Sequence, residues 1–272
     1  MGPFIGIFFT LATLLAVDRL EAGADCKSLL ARVWTNDSRP YKVWDPKVST
    51  VAVKPMVDRK TIHSPHFSPI RIMMGAARIT QNLPLHQHEE TEIYYILKGR
   101  GRTFVTTREG TDEFEIEAGS FFYLPTGVPH YTVADPHNPI ELLYIFPRGA
   151  LEDVRYVFDG SLPISKEAFM RGQLPLLKEY PLDVKERVLI HPSRGEVMGQ
   201  VMKHLLIPPR KIVDHRVEGS GRILFVRRGQ GLIRLESREV PLTAGSYLYL
   251  GEGAAYTLKS THLHGLDILI FE

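Results

Sequence analysis

From about residue 80 the chain is written in short apolar runs separated by polar, glycine-containing breaks. Ile93-Tyr94-Tyr95-Ile96-Leu97 is β-branched and aromatic and stops at Lys98-Gly99-Arg100-Gly101. Thr103 to Thr107 and Phe114 to Ile116 flank Arg108-Glu109-Gly110-Thr111-Asp112, the signature of a hairpin. Phe121 to Leu124 follows Gly119, and Leu142 to Phe146 closes the block. Short strands at this spacing predict an all-β sandwich or barrel. Helical periodicity is confined to Lys166–Arg171 and Pro181–Arg187, where short helices are expected.

The block is then repeated. Ala118-Gly119-Ser120-Phe121-Phe122-Tyr123-Leu124 recurs as Ala244-Gly245-Ser246-Tyr247-Leu248-Tyr249-Leu250. Tyr94 to Gly101 matches Leu224 to Gly231, and Leu142 to Phe146 matches Asp267 to Phe271. Order and spacing agree, so two tandem copies of one β-module are expected. The reading divides the chain into a leader (1–24), a lead-in (25–60), a first module (61–150), a linker (151–189) and a second module (190–272).

The leader rests on Phe4 to Val17, an apolar run of 14 residues followed by Ala22-Gly23-Ala24. That run is shorter than the roughly 20 residues of a spanning helix, and the small-x-small triplet suits signal-peptide cleavage after Ala24. A secreted protein with no membrane association after signal removal is the expectation. Cys26, the one cysteine, excludes an internal disulfide framework and any cysteine-rich metal site. Asn36-Asp37-Ser38 fits an N-glycosylation acceptor. With 33 Lys+Arg against 31 Asp+Glu, the net charge of +2 gives no electrostatic ground for nucleic-acid binding.

Chemistry is concentrated in the first module. His86-Gln87-His88-Glu89-Glu90-Thr91-Glu92 sets three ligand-type side chains at even-numbered positions, which share one face of an extended chain. His130, in Pro125-Thr126-Gly127-Val128-Pro129-His130, offers a fourth. Three imidazoles and a carboxylate suit one divalent ion, with iron or manganese preferred and nickel, copper or zinc as alternatives. In the second module, alignment through the glycines puts Arg216, Glu218, Arg222 and Tyr256 at the positions of His86, His88, Glu92 and His130. Arginine has no lone pair to give a metal, so this copy is read as structural, with an Arg222–Glu218 pair inside it. His63, His66, His262 and His264 lie in loops without a nearby carboxylate and are read as solvated.

His86-x-His88, three residues, Glu92, six residues, Gly99 is similar to the first motif of the cupin superfamily. Gly119, five residues, Pro125-x-Gly127, two residues, His130 is similar to the second. Thr80 and Ala134 depart from the pattern at positions that are not ligands. The resemblance implies two tandem cupin (jelly-roll, double-stranded β-helix) barrels, a bicupin whose second domain is degenerate. It implies metal held by His86, His88, Glu92 and His130, with Glu92 able to leave the metal and act as catalytic base. Strand parity puts Tyr94 on the ligand face with Glu92, Phe121 and Tyr123 lie on the strand before His130, and Tyr94 or Tyr123 is a candidate proton donor. One working and one degenerate barrel resembles quercetinase-like and pirin-like bicupins, so a dioxygenase using a small organic substrate and dioxygen is preferred. A lyase, isomerase or decarboxylase, and a non-catalytic germin-like binding or storage protein, are the alternatives. Pairing of family barrels makes a homodimer the expected assembly.

Overall fold

The computed structural model describes residues 31–34, 38–45, 47–62, 70–175, 181–191, 200–219, 221–236, 238–261, 263 and 265–272. The leader, Cys26, Asn36, His63, His66, His262 and His264 lie outside them. The described residues form strands throughout, with one 3₁₀ turn at Leu151–Asp153. The strands are β1 (Ala31–Trp34), β2 (Lys42–Asp45), β3 (Val48–Val57), β4 (Met73–Ile79), β5 (Asn82–His88), β6 (Glu92–Lys98) and β7 (Arg100–Thr107). There follow β8 (Gly110–Glu117), β9 (Ser120–Leu124), β10 (His130–Ala134), β11 (Ile140–Phe146), β12 (Tyr156–Val157), β13 (Met170–Gln173) and β14 (Lys185–Ile190). The last are β15 (Met202–Ile207), β16 (Ile212–Arg216), β17 (Arg222–Leu235), β18 (Arg238–Thr243), β19 (Tyr247–Leu250), β20 (Ala255–Ser260) and β21 (Leu266–Phe271).

Two barrels result, with one strand order. In the first, a sheet β13-β9-β6-β11-β4-β3-β2 faces a sheet β12-β5-β10-β7-β8. In the second, β1-β19-β17-β21-β15-β14 faces a sheet in which β16 pairs β20 and β17 pairs β20 and β18. The long β17 does the work of both β6 and β7. Gly99 and Gly229 occupy the same corner of the two barrels, at φ of 84° and 89°. A Cβ on either would stand 2.1 Å from a carbonyl oxygen, that of Pro139 or Gly265, so only glycine fits.

Strand alternation creates two kinds of core. Tyr94, Ile96, Phe122, Leu124, Leu142 and Tyr144 point into the first barrel. Their neighbours Tyr95, Phe121, Tyr123, Leu143 and Ile145 point outward into a second cluster, shared with Ile223, Phe225, Tyr247, Tyr249 and Phe271 of the other barrel. The sheets that carry both faces therefore read as unbroken apolar runs instead of alternating ones. This shared core binds the barrels face to face.

The segments flanking the barrels are built into them. Helices are not found at 166–171 or 181–187: β13 adds to β9 and β14 adds to β15. Edge pairing overrides the weak helical pattern there. β1, from the lead-in, pairs with β19 of the second barrel, while β13, from the stretch read as linker, pairs with β9 of the first. The leading strand of each module thus lies on the other module's barrel. Trp34 on β1 stacks on Tyr247 with ring centroids 5.0 Å apart.

The chain's two tryptophans report on one barrel each, Trp34 on the second and Trp44 on the first. Because a common core and exchanged strands couple the barrels, urea transitions followed by fluorescence in Trp34→Phe and Trp44→Phe variants should coincide. Two separated transitions would show that the barrels unfold independently.

Candidate metal centre

β5 and β10 run antiparallel with His86 directly opposite His130, which brings together motifs more than forty residues apart. Potential ligand atoms of His86, His88 and His130 all lie within 4.8 Å of one another, and the three side chains are buried. Glu92 opens β6, and its Oε2 lies 3.0 Å from His88 Nε2 and 3.7 Å from His130 Nε2. The three histidines are thus gathered at one point, with the Glu92 carboxylate beside His88 and His130.

Each imidazole is oriented by the backbone in the same way. Nδ1 of His86 faces the Pro84 carbonyl at 2.8 Å, that of His88 the Glu90 carbonyl at 2.6 Å, and that of His130 the Val128 carbonyl at 2.9 Å. A carbonyl only accepts, so each Nδ1 carries the proton and donates it. Nε2 is left as a lone-pair donor turned inward. His130 Nε2 is buried without a hydrogen-bond partner, an orphaned donor atom of the kind a cation satisfies. The backbone carbonyl does the orienting that a polar residue at Ala134 could have supplied.

Burial keeps His86 and His130 in ligand form. Desolvation, with the neighbouring His88 charge second, lowers His86 to about 3. Desolvation followed by His86 and His88 lowers His130 well below the usual histidine range. Glu92 is raised by burial, against the opposing pull of its hydrogen bond and charge attraction to His88. Neutral imidazoles at His86 and His130 beside a carboxylate able to hold a proton suit a divalent transition ion.

A pocket with about 360 Å³ of free space, counting its open mouth, adjoins His86 and Glu92. Val51, Val53, Ala77 and Ile79 form an aliphatic wall, and Trp44, Tyr94, Tyr144 and Tyr156 an aromatic one. Tyr94 hydrogen-bonds Glu92, and its hydroxyl is raised well above the ordinary tyrosine value, chiefly by burial and then by the Glu92 charge. Tyr94 therefore lies where the sequence placed it. Tyr123 does not. Its cross-strand partner is Ile93, not Glu92, so it shares the outward face and is buried in the core between the barrels. Strand parity removes it from the site.

Three aromatic pocket residues escaped the sequence reading. Tyr144 could have been found from its alternation with Leu142 and Phe146 on β11. Trp44 and Tyr156 had no local signal: one arrives from the lead-in, the other by pairing opposite His88 in the stretch read as linker. Their rings pack edge to face, 5.0 Å apart, and Trp44 lies 5.8 Å from the His86 ring.

In the second barrel the register corrects the alignment by one residue. Tyr256 does stand where His130 stands, but its partner across the sheet is His215. The Gly253 amide bonds the Val217 carbonyl as the Gly127 amide bonds that of His88. His215 and Val217, not Arg216 and Glu218, therefore occupy the ligand positions. Four residues separate Val217 from Arg222 where three separate His88 from Glu92, and glycine matching hid that insertion. Arg216 and Glu218 are exposed. Arg222 pairs with Tyr256 (2.7 Å) and with Glu272 instead of Glu218. This barrel keeps one ligand-type side chain and a guanidinium where an ion would sit.

Residues 79–146 match the cupin domain family model. The chain has a bicupin fold, and its first barrel is a cupin domain. A glucose-6-phosphate isomerase from Thermococcus gammatolerans is 38% identical over 72 residues, 25% of this bicupin and 38% of that protein's length. Oxalate decarboxylase from Bacillus subtilis aligns at a TM-score of 0.64 and 13% identity, covering 92% of this chain and 77% of that one. Vicilin from hazelnut, Corylus avellana, aligns at 0.63 and 13% identity, covering 88% and 84%. The solved structures support the two-barrel fold, and the cupin match falls on the barrel with the intact ligands.

Two outcomes follow for this bicupin. Elemental analysis should find one divalent ion per chain, lost in His88→Ala, with the second barrel contributing none. For the metal-free protein, the unfolded chain binds a proton at His86 near pH 6.5 while the folded chain does so only near 3. Stability is then lost as pH falls through that window, by roughly 1.4 kcal/mol per pH unit for this one histidine. Urea unfolding between pH 7 and 4 should show a shallower loss for His86→Gln, and an unchanged slope would contradict the assignment.

Proposed function

We propose that this bicupin is a metal-dependent enzyme with a single working barrel, acting on a small organic molecule held in the pocket beside His86 and Glu92. The observation that carries this reading is the convergence of three backbone-oriented imidazoles and Glu92 at the edge of an apolar pocket. A purely structural cage would need no such opening.

The metal, when bound, supplies polarisation of a substrate oxygen or redox activation of dioxygen. The chain supplies the rest. His86, His88 and His130 hold their Nε2 atoms fixed through carbonyl contacts, so little reorganisation accompanies binding. Glu92 Oε2 is buried, and its raised proton affinity suits it to accept and return a proton. Tyr94 stays protonated and directs its hydroxyl to that carboxylate. Trp44, Tyr144 and Tyr156 wall off water from the same space.

Oxygen-dependent cleavage or oxidation is the preferred reaction, supported by the apolar lining and by the loss of ligands in one barrel. Metal-assisted isomerisation, lyase chemistry or decarboxylation would use the same proton transfer at Glu92. The protein is exported, with residues 1–24 removed after Ala24. Substrate screening with an oxygen electrode and an anaerobic control tests this. Substrate-dependent oxygen uptake is expected, with Glu92→Gln lowering kcat by about 10²-fold or more while the metal is retained. Turnover without oxygen consumption would select the isomerase or lyase alternative. A tightly held ion with no turnover on any substrate would select a binding or storage protein.

A further inference from the structure

The pocket beside the ligand set is notable for the charges it lacks. Among the described residues that line it there is no lysine or arginine, and Glu92 is its one carboxylate. Two cations close to the ligand strand are already committed: Arg148 to Glu90 at 2.8 Å and Arg155 to Glu89 at 2.6 Å. The polar groups that remain on the wall are uncharged. Tyr144 is one of them, and its Oη is buried without a hydrogen-bond partner. Gly75 sits directly opposite on β4, and a Cβ there would meet the Tyr144 ring tip at 2.2 Å, so the glycine makes room for this hydroxyl.

The apolar character continues to the mouth. Phe158 is 52% exposed, with its ring 6.1 Å from Trp44 and 6.3 Å from His86. An exposed aromatic beside an aromatic wall presents a continuous apolar path from solvent to the ligands. A doubly charged ligand entering here could place one charge at the metal. Its second would be desolvated against Val53, Ile79 and Trp44 with no counter-ion.

Resting on the reading of His86, His88, Glu92 and His130 as a metal site, we propose a substrate class for this pocket. It takes molecules with one metal-binding oxygen function on an apolar, ring-sized body, any second polar group being an uncharged one that meets Tyr144. It rejects dianions, including small dicarboxylates and sugar phosphates.

Calorimetric titration of the zinc-loaded full chain with benzoate, 4-methylbenzoate and terephthalate tests this directly. The three share one carboxylate and one ring, and the last two differ in carrying a methyl or a second charge at the far end. 4-Methylbenzoate should bind at least as tightly as benzoate, and terephthalate at least tenfold more weakly than 4-methylbenzoate. Val53→Lys, which sets a cation on the half-buried edge of the aliphatic wall, should narrow the gap between 4-methylbenzoate and terephthalate at least fivefold. Terephthalate within tenfold of 4-methylbenzoate, or no binding by any of the three, would overturn the proposal. Metal content measured on the same samples separates the two levels of the account. A loaded site without the charge discrimination sinks the substrate class alone, and discrimination without bound metal sinks the metal reading together with the substrate class built on it.

Discussion

Three backbone carbonyls, those of Pro84, Glu90 and Val128, decide what the N-terminal barrel can do. Each accepts a hydrogen bond from the Nδ1–H of a buried histidine and so commits that ring to one tautomer and one direction. Without them, three imidazoles in an apolar barrel would be costly polar groups free to point anywhere. With them, three lone pairs face a common point next to a carboxylate whose own burial leaves it reluctant to stay charged. The metal binding and proton transfer proposed for this barrel both depend on that arrangement.

The second barrel shows what the same scaffold does once the ligands go. Val217 replaces one imidazole and Tyr256 another, and the Arg222 guanidinium is tied to Tyr256 and Glu272. Positive charge is still present near the position of the lost ion, carried by the chain itself. What this barrel contributes is surface: Tyr247, Tyr249, Phe225 and Phe271 close the outer face of the first barrel's main sheet. The exchanged strands β1 and β13 make that union topological as well as apolar.

Much of the site was legible because its rule is short-range. Even spacing along an extended chain puts His86, His88 and Glu92 on one face whatever the strand pairs with. The duplication was legible for a similar reason, since the corner glycines Gly99 and Gly229 answer the same steric demand. Parity without a pairing partner has no absolute phase, and that is why Tyr123 was placed in the pocket when Phe122 and Leu124 hold the inward positions. The one-residue error at Arg216 and Glu218 came from a loop one residue longer, invisible to an alignment anchored on glycines. Trp44 and Tyr156 reach the site only through pairings distant in sequence, which no local pattern encodes.

The identity of the atoms around a bound ion decides whether His86, His88 and His130 form a metal centre. X-ray absorption at the metal edge of the purified protein, loaded with manganese or iron, reads that shell directly. The expected result is three imidazole nitrogens with carboxylate and solvent oxygens, the imidazole scattering falling by one in His130→Ala. A shell made of oxygens alone, or one unchanged by that substitution, would place the ion elsewhere and contradict the assignment.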